Sequence, residues 1–155
     1  MAKEIERKFL VKRDVWQPRD AGTYYKQGYL NSQKERVVRV RIAGAKAMLT
    51  IKGLTKGVTR SEFEYPIPVE DAAVLLDHLC EQPVIEKHRH KEVHGGKTWE
   101  IDVFHGENDG LVVAELELAS ENEAFERPAW AGEEVSSDPR YFNSNLLKNP
   151  YKRWA

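Results

Sequence analysis

The chain has 155 residues, 41% of them hydrophobic and 32% charged, which suits one domain with a single core. Its 24 lysine and arginine residues are nearly balanced by 25 acidic residues, and the net charge of −1 argues against a nucleic-acid partner. One cysteine excludes an internal disulfide, and the sequence shows neither a signal peptide nor an apolar run of membrane-spanning length. We therefore expect one cytoplasmic domain over residues 1–155, with no membrane partner and with a homodimer left open.

The predicted strands are segments in which apolar and charged side chains alternate with a period of two. In residues 36–43, for example, Val40 lies on the face opposite to Arg39 and Arg41. Two segments, residues 23–30 and 84–92, alternate least cleanly. In chain order the predicted strands cover residues 3–11, 23–30, 36–43, 47–53, 60–67, 84–92, 97–104 and 111–118.

Helical signals are fewer. An apolar stripe predicts a helix over residues 70–80, and Ser120 with Glu123 fits a capping box that opens a short helix ending near Arg127. Asp138-Pro139 predicts a last helix through Leu147, because proline suits the first turn. Strands dominate, so we expect a mainly β (α+β) fold in which an antiparallel sheet closes into a barrel with the helices packed outside. The alternative is an open sheet with helices on one face and water on the other.

The polar faces of the predicted strands are almost wholly ionic, and the two signs of charge are sorted by strand. A solvated face is the ordinary explanation of alternating charge, but such a face more naturally mixes the signs. Side chains two residues apart on a strand lie about 6.5–7 Å apart on one side, so paired like charges repel unless a counter-ion joins them. The acidic positions are Glu4, Glu6, Glu62, Glu64, Glu100, Asp102, Glu115 and Glu117, and the basic positions are Lys8, Arg39, Arg41, Lys52, Lys87 and Arg89.

If the sheet closes with these faces inward, its interior is a charged tunnel. Carboxylates suit divalent cations such as Mg²⁺, whereas arginine and lysine side chains suit a multiply charged phosphate chain. With Glu100 left aside, six basic and seven acidic positions leave one net negative charge. Two divalent cations would therefore give the tunnel the positive charge that a triphosphate needs.

The segment Glu4-Ile5-Glu6-Arg7-Lys8 resembles the E-x-E-x-K signature that opens the CYTH superfamily, the triphosphate tunnel metalloenzymes. The later charged positions follow in that family's order, so that the resemblance covers residues 4 to 117. Arg39 and Arg41 resemble its R-x-R strand, Lys52 its single tunnel lysine, Glu62 and Glu64 its first internal E-x-E, Lys87 and Arg89 its K-x-R strand, Asp102 its acidic strand residue, and Glu115 and Glu117 its last E-x-E.

The resemblance implies an eight-stranded antiparallel tunnel that hydrolyses triphosphates with bound Mg²⁺ or Mn²⁺, two ions per site. The chain resembles the short bacterial members that convert inorganic tripolyphosphate to pyrophosphate and phosphate. We expect the metal to be held among Glu4, Glu6, Glu62, Glu64, Asp102, Glu115 and Glu117, and the substrate to be bound by Lys8, Arg39, Arg41, Lys52, Lys87 and Arg89.

Three residues are candidates for a direct part in catalysis: Lys8, Lys87 and Tyr29. Lys87 would transfer a proton if neighbouring cations lower its pKa, or would only anchor a phosphate. Tyr29 would reach the tunnel, or would only pack near its rim. The alternative functions left open are an adenylate cyclase, a thiamine or nucleoside triphosphatase, and a polyphosphate-binding module without catalysis.

Overall fold

Eight antiparallel strands form a closed barrel in residues 3–154, the part of the chain that the computed structural model describes. Around the barrel they follow the order β1-β5-β4-β3-β2-β6-β7-β8, and β8 pairs again with β1. All eight predicted strands are confirmed. Their bounds are β1 Lys3–Val11, β2 Thr23–Asn31, β3 Arg36–Ala43, β4 Lys46–Gly53, β5 Thr59–Ile67, β6 Ile85–His94, β7 Lys97–Phe104 and β8 Val112–Glu117.

Strand β1 closes the barrel because its two halves pair with different neighbours. Residues 3–5 pair with residues 59–61 of β5, and residues 6–10 pair with residues 113–117 of β8. The alternative of an open sheet is therefore wrong. A short ninth strand, β9 at Ala131–Glu134, adds to the end of β1 outside the barrel.

One helical segment packs on the outside of the barrel, as predicted. It consists of the helix α1 at Val69–Val74 and a π-helical turn at Leu75–Leu79. Gly28 on β2 permits its close approach, because a Cβ there would lie 3.0 Å from Leu76 Cδ2 and 3.1 Å from Cys80 Cβ. Cys80 is therefore a buried core residue, and burial raises the pKa of its thiol to about 11.

The rest of the outer surface is covered unevenly. Over β1, β7 and β8, aromatic side chains from the loops form the cover, with Phe125 and Trp130 packing on the buried ring of Trp99. Over β5 the apolar face stays open, since Phe63 and Tyr65 are 44% and 53% exposed. The helices thus cover less of the apolar face than the sequence predicts.

The C-terminal segment lies across one end of the barrel. Its pieces are a 3-10 turn at Pro139–Tyr141, the short helix α2 at Asn143–Leu146 and a 3-10 turn at Tyr151–Arg153. Their apolar side chains join inward-facing strand residues, so this end of the barrel is an apolar plug. The buried members of the plug are Tyr29, Val37, Ile85, Phe104, Leu111, Val113, Val135, Tyr141, Leu146 and Leu147.

Two predicted helices differ from the structure. The segment from Ser120 to Arg127 is a turn followed by chain without regular secondary structure, although Glu123 does accept a hydrogen bond from the Ala119 N–H as a capping residue would. Glu123 also pairs with Lys97, and Phe125 packs on the barrel, so tertiary contacts hold the segment in place of helical hydrogen bonds. The last predicted helix is broken at Phe142, whose ψ of 129° is extended. Within residues 3–154, no helix has the length and apolar content needed to cross a lipid bilayer.

Candidate active site

The alternation of the strands places the ionic faces inside the barrel, above the apolar plug. There they surround a cavity of about 260 Å³. Its wall contains six cationic and seven carboxylate side chains, so the fully ionised site carries one net negative charge. The cations are Lys8, Arg39, Arg41, Lys52, Arg60 and Arg89, and the carboxylates are Glu4, Glu6, Glu62, Glu64, Glu100, Glu115 and Glu117.

The Glu4 carboxylate forms ion pairs with two cations. Its carboxylate accepts hydrogen bonds from Lys52 Nζ at 3.2 and 3.3 Å and from Arg60 Nε at 3.2 Å. Burial alone would raise the pKa of Glu4, but Lys52 and Arg60 lower it to about 2. The Lys52 ammonium also lies 3.3 Å from Glu62. These charges neutralise one another locally, and a triphosphate entering the cavity must compete with them.

Glu6 and Glu115 form the opposite kind of pair, since two carboxylates share a hydrogen bond. Burial and the neighbouring Glu115 and Glu4 raise the pKa of Glu6 well above its usual value. Glu117, which pairs with Glu6 in the strand register, has a raised pKa because of burial and of Glu4 and Glu100 nearby. Glu6 and Glu117 are therefore short of positive charge, whereas Lys8 and Arg89 outweigh burial and lower the pKa of Glu115.

No group of three or more histidine, cysteine, aspartate or glutamate side chains within residues 3–154 is already arranged to hold a metal ion. The donor set nevertheless fits one, because Glu6, Glu115 and Glu117 offer hard oxygen ligands and their mutual repulsion would be relieved by a divalent cation. The histidine side chains of β6 fit a metal ion less well. His88 lies on the outer surface, where its Nδ1 is 2.7 Å from His105 Nε2, and His90 contacts Asp20.

Arg39 and Arg41 meet the cavity with incomplete hydrogen bonding. Arg39 Nε is buried without a hydrogen-bond partner among the described residues, although Nη2 of the same group lies 3.4 Å from Thr50 Oγ1 and 3.6 Å from Glu64 Oε2. Arg41 Nε donates to Gln27 Oε1 at 2.9 Å. Lys8 Nζ donates to the Tyr141 carbonyl of the plug at 3.0 Å. An unpaired buried guanidinium donor is what an anion-binding site would present.

Two predicted site residues, Lys87 and Asp102, lie behind the cavity wall. Lys87 is fully buried, and its Nζ contacts Asp102 Oδ2 at 2.7 Å. Arg89 binds the same carboxylate through Nε at 2.7 Å and Nη2 at 2.9 Å. Burial lowers the pKa of Lys87 to about 7, although Asp102 opposes that change. Both Asp102 oxygens are thus engaged by cations.

Tyr29 is the third predicted catalytic residue, and it lines the cavity where the ionic wall meets the plug. It is 3% exposed, and burial raises the pKa of its phenol. Its hydroxyl has only a long contact of 3.5 Å with Gln27 Nε2. The phenol is therefore nearly free to bind a ligand inside the cavity.

The family of the chain follows from comparison with known proteins. A family model described as the CYTH domain matches residues 2–149. The chain belongs to the CYTH family. This membership implies dependence on a metal ion.

Relatives of this CYTH chain carry a consistent name. A protein of Acetivibrio thermocellus named inorganic triphosphatase is 53% identical over 154 residues, covering 99% of either chain. A protein of Nitrosomonas europaea with the same name is 36% identical over 147 residues, covering 92% of this chain and 95% of the relative. The crystal structure of an inorganic triphosphatase superposes with a TM-score of 0.67 at 34% identity, covering 95% of each chain.

The same fold occurs in more distant proteins. A Bacillus halodurans structure described as an adenylate cyclase is 16% identical, with a TM-score of 0.60 over 78% of this chain and 84% of its own. At that identity the likeness shows the CYTH fold and carries no information about this chain's substrate.

Several residues of the cavity wall are absent from the predicted site. Arg60 lies two positions before Glu62 on the same strand face, so the alternation already places it inside. Glu100 is related to Asp102 in the same way. Ser136 and Asn143 come from the C-terminal segment, and no periodic pattern connects that segment with the barrel interior.

Proposed function

We propose that the protein is a metal-dependent hydrolase that cleaves inorganic tripolyphosphate to pyrophosphate and phosphate. The observation that carries the proposal is the cavity inside the closed barrel, whose wall holds six cations among seven carboxylates. A space of about 260 Å³ suits a small, highly charged ligand. The two relatives named inorganic triphosphatase, at 53% and 36% identity, support the same substrate.

The cationic side chains bind the substrate in this proposal. They come from β1, β3, β4, β5 and β6, so they surround a phosphate chain instead of contacting one end of it. Arg39 contributes its unpaired Nε, and Arg39 and Arg41 can each bind two phosphate oxygens. Lys8 lies at the junction of cavity and plug, where it can stabilise charge on the phosphoryl group that is transferred.

The metal ligands in this proposal are drawn from Glu4, Glu6, Glu62, Glu64, Glu115 and Glu117. A bound Mg²⁺ or Mn²⁺ ion, and a second ion in the same cavity, would neutralise phosphate charge and make a water molecule a better nucleophile. Asp102 was predicted as a ligand as well. We now assign it to the buried ion pairs with Lys87 and Arg89, because both of its oxygens are taken.

Lys87 and Tyr29 are the residues that we assign to proton transfer. With a pKa of about 7, the Lys87 ammonium can lose or gain a proton near neutral pH. Tyr29 places a weakly bonded hydroxyl at the cavity, where it can donate a hydrogen bond to a phosphate oxygen or to water.

The experiment is a substrate panel with product analysis. Tripolyphosphate, ATP, thiamine triphosphate and pyrophosphate are each incubated with the full chain and Mg²⁺, and the products are separated by ion chromatography. We expect tripolyphosphate to be cleaved fastest and pyrophosphate to be a poor substrate. Equal rates on tripolyphosphate and pyrophosphate would contradict a cavity matched to three phosphates, and formation of cyclic AMP would favour the cyclase.

We infer that residues 1–155 act as one cytoplasmic domain, since the family match covers residues 2–149 and the C-terminal segment completes the barrel. For the homodimer, the open apolar face of Phe63 and Tyr65 is the surface that a second copy would cover. Light scattering after size-exclusion chromatography distinguishes a monomer of 17.9 kDa from its dimer.

A further inference from the structure

Two guanidinium groups of the cavity stack on one aromatic ring. Tyr25 lies on the inward face of β2, and the Cζ atoms of Arg41 and Arg89 are each 4.9 Å from its ring centroid. Tyr25 and Arg89 also line a second, more open cavity beside Gly22 and Lys91. The ring therefore stands in the wall between the ionic cavity and this opening, in contact with both arginines.

The two stacked arginines are held by different groups on their other sides. Arg89 binds Asp102 through two hydrogen bonds and lies near Glu100 and Glu115, so carboxylates balance its charge. Arg41 makes no ion pair with a carboxylate among the described residues. Its Nε donates to Gln27 Oε1 at 2.9 Å, and Gln27 is fully buried on the same face of β2 as Tyr25.

Among the cavity cations, only Arg41 and Lys8 have no ion pair with a carboxylate within residues 3–154, and Lys8 is bound instead to the Tyr141 carbonyl of the plug. Arg39, Lys52, Arg60 and Arg89 all lie within 4.0 Å of a carboxylate, at 3.6, 3.2, 3.2 and 2.7 Å. Burial and the neighbouring Arg39 and Arg89 lower the pKa of Arg41 to about 10, so the guanidinium still carries its charge at neutral pH. Neutral partners cost a phosphate less to displace than a carboxylate would.

We propose that Tyr25 and Gln27 are positioning residues that hold Arg41 in the cavity without neutralising it, so that its charge is kept for the triphosphate. This inference rests on the proposed function and assigns a role to two neutral residues of β2. The Tyr25 ring provides an electron-rich surface for the Arg41 guanidinium beside the like charge of Arg89, and the Gln27 amide fixes the direction of the Arg41 fork.

The test is the kinetics of tripolyphosphate hydrolysis with Mg²⁺ for Tyr25→Leu, Tyr25→Phe and Gln27→Glu. Tyr25→Leu removes the ring and should lower kcat/KM about tenfold, mainly through KM, whereas Tyr25→Phe keeps the ring and should restore it. Gln27→Glu keeps size and acceptor but gives Arg41 a carboxylate, so kcat/KM should fall by at least about tenfold. Tyr24→Leu, on the outer surface beside His88, is the matched control and should behave as the unchanged protein.

A double-mutant cycle decides whether the two residues act through Arg41. In an Arg41→Ala background, both Tyr25→Leu and Gln27→Glu should cause a clearly smaller loss than in the unchanged protein, and what remains of the Tyr25→Leu loss acts through Arg89. Losses of undiminished size in that background would overturn the inference, because Tyr25 and Gln27 would then act independently of Arg41. Equal activity of Tyr25→Leu and Gln27→Glu with the unchanged protein would overturn it as well. An unchanged protein that fails to hydrolyse tripolyphosphate would instead refute the proposed function.

Discussion

Lys8 offers the sharpest single perturbation, because its neighbour Arg7 is a matched control on the other face of β1. Lys8→Met removes the charge but keeps a side chain of similar length. A unit charge about 4 Å from a phosphate oxygen contributes about 4 kcal/mol at an effective dielectric constant of about 20, and each 1.4 kcal/mol is about tenfold in rate. The other cations of the cavity will compensate part of this loss. We therefore predict a decrease in kcat/KM of about 10²-fold.

Lys8→Met and Arg7→Met should lower the stability of the protein by similar amounts, so a difference between their activities reports on the substrate site and not on the fold. Lys8→Met leaves the Tyr141 carbonyl without its donor, and Arg7→Met breaks the pair with Glu134 and uncovers the ring of Phe125. Each change should lower the free energy of unfolding by about 1 kcal/mol, measured by urea denaturation. Arg7→Met should keep nearly full turnover in the phosphate-release assay. Equal activity of the two variants would refute the assignment of Lys8 to the substrate site.

Three further predictions concern the buried charges. Because Lys87 has a pKa of about 7 and can donate a proton only when protonated, turnover should fall as pH rises above about 7. Asp102→Asn should move that decline to lower pH, and an unchanged profile would contradict the pairing of Lys87 with Asp102. Because the pKa of Glu6 is raised in the folded protein, protonated Glu6 contributes stability at pH values below about 4.5, the pKa in the unfolded chain, and this stability is lost as pH rises through the folded pKa. Glu6→Gln should therefore raise the melting temperature of metal-free protein at pH 7 while abolishing turnover. A lower melting temperature would argue against repulsion between Glu6 and its neighbouring carboxylates. Tyr29→Phe should lower kcat more than it changes KM, with melting as the control for its place in the plug.

The period of two in the sequence predicts the strands and the contents of the cavity for a physical reason. A strand that separates apolar from ionic side chains must bury one face, and closure of the sheet turns the ionic face inward. Glu4, Lys52 and Glu115 therefore appear in the predicted set and in the cavity wall. Arg60 follows from the same rule, because it shares a face with Glu62.

Other parts of the site depend on contacts that no local pattern encodes. Lys87 and Asp102 alternate like the cavity residues, but their ion pair lies one layer behind the wall, and only the packing of β6 on β7 reveals this. The plug and β9 arise where the C-terminal segment meets β1 and the barrel end. The sequence Ala-Gly-Glu-Glu at residues 131–134 has no strand alternation, so its pairing is a tertiary effect.

In the proposed function, cationic side chains bind a triphosphate inside the barrel, and its cleavage requires a metal ion held by the carboxylates. The direct test is ³¹P NMR of tripolyphosphate mixed with chelator-treated protein, before and after addition of excess Mg²⁺. We predict no cleavage before the addition, and afterwards one pyrophosphate and one phosphate for each tripolyphosphate consumed. Full turnover in the presence of excess chelator, or no turnover after Mg²⁺ or Mn²⁺ is restored, would contradict the claim.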